Sequence, residues 1–247
     1  MDIKNIEKLP PGAGKVLGPY LDELEKLYNG AMISIFAYGS VTGPDYDPRT
    51  SDINIAVVLK DTSVKELRSA LKIVKSGIRK RITVPLFLTS AYIKMSLDTF
   101  PMEFMNMKDT RLVLFGDDVL ADISANNEDL RRECEYQLKG KLLTIRQAYL
   151  EQALGRRGLE RLIKMSLRAL LPVFQNMLRI KRGNPPPRGR TEVLMEVGEA
   201  FNIDMSAFLE VAHDRKTEGR IAGKPAESFI DTFLARLEHL SGIVDNI

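Results

Sequence analysis

Two apolar runs separated by a polar, turn-rich loop fill Ile33 to Leu59, ISIFAYGSVTGPDYDPRTSDINIAVVL. Met32–Tyr38 and Asp52–Leu59 have the length and the branched and aromatic content of strands. Gly39, directly after the first run, lacks a Cβ, so the backbone can turn sharply there and a phosphate can approach closely. Ser40 adds a hydroxyl and a backbone N–H at the same spot. Asp52 and Asn54 are two residues apart and share one face if the second run is extended from its first residue. A glycine-serine turn beside a short row of oxygen ligands suits a Mg²⁺–triphosphate group, because Mg²⁺ takes oxygen donors and shares its coordination with phosphates.

The rest of the first half supplies partners for these strands. Residues 1–16 read as a loose leader, and Gly12-Ala13-Gly14-Lys15 as a plain loop, because the eight-residue spacing of a phosphate loop is missing. Leu21, Leu24 and Tyr28 recur at helical spacing, with Asn29-Gly30 as the stop. Ser63 with Glu66 fits a capping box ahead of a helix to about Ser76-Gly77. Ile82–Thr89 reads as a third strand, kept to an edge by Pro85. Phe100–Met107, FPMEFMNM, reads as a fourth strand with Glu103 as its only acid. Gly116-Asp117-Asp118 marks the expected domain boundary. Beyond it come helices: a long one capped by Asn127 and broken by Gly155, Leu159–Ile180, Thr191–Phe201, Met205–Val211 capped by Asp204, and a last one from Pro225. The expectation is a two-domain α+β protein. A mixed sheet with flanking helices (1–118) precedes a helical bundle (119–247), with the ligand cleft between them.

Composition narrows the function classes. Residues 1–118 carry 16 basic and 15 acidic residues against totals of 36 and 33, so charge is spread evenly over the two halves. That evenness, with no tryptophan, argues against a nucleic-acid partner. The single cysteine, Cys134, falls in an apolar helical stripe and reads as a core thiol; it excludes an intrachain disulfide. His213 and His239 lack metal-spaced partners. The basic run Arg179–Arg190 reads as a hydrated loop or as a flank of an acceptor site. No apolar run is long enough for a membrane span, and the default compartment is the cytoplasm.

Gly39-Ser40, eleven residues, then Asp52-Ile53-Asn54-Ile55 resembles the signature of the polymerase-β-like nucleotidyltransferases, which is Gly-Ser, a loop, and Asp-hydrophobic-Asp on a strand. The helical half resembles the antibiotic-modifying members more loosely. The resemblance implies that Gly39 and Ser40 bind the phosphates of a nucleoside triphosphate. It implies that Asp52, Asn54 and Glu103 are metal ligands for Mg²⁺ or Mn²⁺, with Asp52 and Glu103 catalytic. The reaction implied is transfer of a nucleoside monophosphate, AMP from ATP foremost, to a hydroxyl of a small-molecule or protein acceptor. A homodimer is among the expected assemblies. The chain departs from the signature at Asn54, where a carboxylate is expected. Bridging carboxylates offset the repulsion between two Mg²⁺ ions. A second reading therefore stands beside the first: a relative that keeps the fold and binds nucleotide or a partner protein without turnover.

Overall fold

The computed structural model describes residues 3–153, 158–214, 220–221, 224–225 and 227–247. The chain forms two compact units, Met1–Ala125 and Asn126–Ile247.

The first unit opens with α1 (Pro11–Tyr28). Pro11 suits a first helical position because its missing N–H would have no partner there. The run Gly12–Lys15, expected as a loop, is thus the first turn of this helix, with Ala13 and Leu17 buried. β1 (Met32–Tyr38) follows, then a single 3-10 turn over Gly39–Thr42 that Gly43 and Pro44 end. β2 spans Asn54–Leu59, so Asp52 lies just outside the strand. One helix was expected next; two short ones form, α2 (Val64–Ser69) and α3 (Leu71–Ile78). Ser63 precedes α2, but its side chain makes no cap hydrogen bond. β3 is only Leu86–Leu88, α4 is Ser90–Met95, α5 is Pro101–Thr110 and β4 is Leu112–Gly116.

The expected fourth strand at Phe100–Met107 is therefore corrected to a helix, and the true fourth strand follows it. In FPMEFMNM the apolar positions fit both periods, and Pro101 at the first helical turn favours the helix. Phe104 and Met107, three apart, then share a buried face while Glu103 points to solvent.

The sheet order is β3-β2-β1-β4. β1 is antiparallel to both β2 and β4, and β2 is parallel to β3. A parallel pair needs a crossover, which α2 and α3 supply. Both faces are covered. Ile35, Ala37, Ile55, Val57 and Leu59 face Leu17, Leu21 and Leu24 of α1. Phe36, Ala56 and Val58 face Ile93, Phe104, Met107, Leu120 and Ile123. Each fully buried leucine or phenylalanine contributes roughly 1.5–3 kcal/mol, so this two-sided core fixes the strand ends that carry the site.

The second unit is helical: α6 (Asn127–Ala153), α7 (Leu159–Arg182), α8 (Arg190–Phe201), α9 (Ser206–His213) and α10 (Glu227–Val244). The N-cap of α6 is Asn126, whose side chain accepts from the Glu128 N–H, not Asn127. Asp204 accepts from the Ser206 N–H at 2.9 Å, as its spacing predicts. Pro225 belongs to a two-residue strand paired with Arg220–Ile221 and does not start α10. Phe174, Phe208 and Phe233 stack in the core of this unit, and Cys134 is fully buried, which pushes its thiol pKa up. Gly155, expected to end α6, lies outside the described residues. No described helix is long and apolar enough to cross a membrane.

Candidate functional site

One end of the sheet gathers the signature residues. β1 leaves the sheet at Tyr38, and Gly39 follows at φ +77°. The positive φ favours glycine, and a Cβ there would also sit 3.2 Å from Asn54 Nδ2 and press that side chain aside. Tyr38 pairs with Asn54 across the strands. Burial raises the Tyr38 phenol above its ordinary pKa, and its ring packs against Phe36. The Gly39 N–H donates to Thr110 Oγ1 at 3.0 Å, at the C-terminal end of α5. The Thr110 hydroxyl in turn donates to the Asn106 carbonyl at 2.7 Å. The Thr42 hydroxyl lies 2.9 Å from the Gly39 carbonyl. The turn is therefore held closed from α5. Ser40 is exposed on it, and no hydrogen bond among the described residues engages its hydroxyl.

The second row of the site starts at Asp52. Its carboxylate is 3.6 Å from Arg81 Nε, and both side chains are about half exposed. Asn54 opens β2, and its Oδ1 accepts a 3.0 Å hydrogen bond from the Thr83 hydroxyl. Arg81 and Thr83 lead into β3 beside β2, tied by the bonds Ile53 N–H to Arg81 O (2.8 Å) and Thr83 N–H to Ile53 O (3.0 Å). Arg81 also donates to the Arg49 carbonyl through a terminal guanidinium nitrogen. The loop between is folded on itself: the Asp47 side chain accepts from the Arg49 N–H at 2.9 Å, which holds its carboxyl below the usual range. Gly39, Asn54, Asp52, Thr83 and Arg81 thus line one end of three adjacent strands.

Glu103 is not part of this row. It stands exposed in the first turn of α5, and Thr110, the residue that meets Gly39, is about 10 Å further along the helix at 1.5 Å per residue. Among the described residues no group of three acids, histidines or cysteines could hold a metal ion. A pair of Mg²⁺ ions does not fit the donors at the strand ends. Asp52 supplies the row's one carboxylate, with a guanidinium beside it, and Asn54 supplies a neutral amide oxygen that already accepts a hydrogen bond from Thr83.

Sequence reasoning missed three participants: Thr83, Arg81 and Thr110. Thr83 lies within the run read as the third strand, but what it meets on β2 depends on a register that shifts between Ile53–Ile82 and Ala56–Leu86, and Arg81 lies just before that run. Thr110 carried no signal, because its helix had been read as a strand.

No family model matches this chain, and no curated protein matches it. Among solved structures it is similar to the spectinomycin adenyltransferase AAD(9) of Enterococcus faecialis, whose structure was determined with ATP and spectinomycin. The TM-score is 0.57 at 10% sequence identity, over 91% of this chain and 98% of that one. At that identity the likeness shows the fold: an α+β protein with a nucleotidyltransferase-like mixed sheet and a helical C-terminal half.

Proposed function

We propose that this chain is a nucleotidyltransferase-fold protein that binds a nucleoside triphosphate, ATP foremost, at the Gly39–Ser40 turn and does not transfer the nucleotide through a metal pair. The observation that carries this reading is the Thr83–Asn54 hydrogen bond beside the Arg81–Asp52 ion pair. Together they leave the row one carboxylate, beside a guanidinium, and one neutral amide, too little negative charge to offset the repulsion between two Mg²⁺ ions. The turn itself keeps its glycine geometry and an accessible Ser40. Phosphate would meet the Ser40 hydroxyl, whereas the Gly39 N–H is already given to Thr110. Calorimetric titration with a non-hydrolysable ATP analogue tests this. Saturable binding is expected, and its loss in Ser40→Glu, which sets a carboxylate against the phosphates at an exposed position. No heat up to millimolar analogue would contradict the reading.

A second reading is favoured by the extent of the structural likeness, which runs through the helical half as well. In it the chain adenylylates a hydroxyl of a small molecule or a protein. Asp52 holds the metal and Asn54 assists; Glu103, which stands apart from them on α5, takes the acceptor's proton only if the acceptor bridges the two. Label appearing on an acceptor from α-labelled ATP in the presence of Mg²⁺, and vanishing in Asp52→Ala, would establish it.

A further inference from the structure

The misfit of a metal pair leaves the charge of a bound triphosphate without a counter-ion, and one residue stands ready to supply it. We infer that the Arg81 guanidinium takes the place of metal at this sheet end, so that the triphosphate binds without Mg²⁺. The inference rests on the nucleotide-binding reading above and adds the cation that reading lacks.

Arg81 is unusual in its backbone. It sits at φ +64°, a region a non-glycine residue rarely adopts, and such residues persist where surrounding structure over-determines them. Here the Arg81 carbonyl accepts from Ile53 N–H at 2.8 Å and the Arg81 N–H donates to the Ile78 carbonyl at 3.1 Å. These bonds fix the Cα beside Asp52. Adjacent strands are roughly 4.8 Å apart, so two strand spacings, about 10 Å, separate the lead-in to β3 from the Gly39 turn. A triphosphate and an extended arginine can span that gap together. The guanidinium is not spent: it meets Asp52 through Nε at a loose 3.6 Å, gives one terminal nitrogen to the Arg49 carbonyl, and stays nearly half exposed. Arginine remains charged at all relevant pH values and matches phosphate oxygens with a planar fork, which lysine does not. A bound polyanion would draw the guanidinium away from its loose contact with Asp52.

The test is equilibrium binding of a fluorescent ATP derivative to the full chain, in excess EDTA and again in Mg²⁺. Affinities within about threefold of each other are expected. Arg81→Gln should weaken binding in EDTA by about tenfold or more, the worth of a charge-assisted hydrogen bond. Arg81→Lys, which keeps the charge without the fork, should fall between. Because Arg81 also holds the Arg49 carbonyl, thermal melting of each variant is recorded beside it. Binding at least tenfold tighter with Mg²⁺ would overturn this inference and leave the nucleotide reading standing. Wild-type affinity in a folded Arg81→Gln protein would do the same. No binding in either buffer would overturn the nucleotide reading itself.

Discussion

Single residues decide most of what this site can do. Asn54 leaves one charge fewer than the signature it resembles, which has two carboxylates, and that much was legible in the sequence as it stood. What happens to the Asn54 oxygen was not, because it depends on a hydroxyl twenty-nine residues away. The glycines divide in the same manner. Gly39 announces itself by its place after an apolar run, whereas Gly116 looks like an ordinary boundary residue. In the structure Gly116 lies at φ +71°, and a Cβ would fall 1.9 Å from the Ile33 carbonyl oxygen of the neighbouring strand. Neither strain nor overlap can relax without parting β1 from β4. Gly116→Ala is therefore expected to cost upwards of about 3 kcal/mol, at the upper end of single substitutions. The chemical-denaturation midpoint checks it, and an unchanged midpoint would show that the strand end can shift freely.

Among the elements, β1 was read to the residue, α1, β2, α7 and α8 at one end, and α9 to within two residues at each end, because apolar periods dominate there. The strand errors fall between Ile82 and Gly116, where elements are three to ten residues long and no period has room to declare itself. A strand was assigned to α5 on apolar content, and β4, pinned between Arg111 and Gly116, passed unnoticed. That pinning is electrostatic as well as apolar. Arg111 donates from Nε and a terminal nitrogen to the two oxygens of Asp118, each at 2.6 Å, just before and after β4. The Arg111 hydrogen bonds hold the Asp118 carboxyl below its ordinary pKa. A carboxylate whose folded pKa is depressed contributes stability above its unfolded pKa and loses it as pH falls through the folded value. Asp118→Asn is therefore expected to destabilise by roughly 1 kcal/mol at pH 7, a modest figure because the pair is partly solvated. The difference between variant and parent should shrink as pH falls below about 4, the ordinary carboxylate range. Urea titrations at several pH values measure it, and a difference that persists unchanged at low pH would assign the effect to packing.

For the molecule as a whole, the α+β reading and the helical second half were legible because strand-like alternation stops after β4. The residues 119–125 carried no period, yet Leu120 and Ile123 are buried in the core of the first unit. The chemistry was less legible than the fold. A signature motif reports a backbone geometry, and here it coincides with a tight turn at Gly39, φ +77°. Transfer also needs a set of ligands drawn from separate strands, which pairs of residues far apart in sequence decide. On the reading proposed above, binding and turnover part company in this chain, and the location of binding is the point to test. Amide chemical-shift mapping of the isotope-labelled protein, titrated with a non-hydrolysable ATP analogue, does so without knowledge of any acceptor. The account predicts saturable shifts concentrated at Gly39, Ser40, Asp52, Arg81 and Thr83. Shifts centred elsewhere, or none at millimolar analogue, would contradict it.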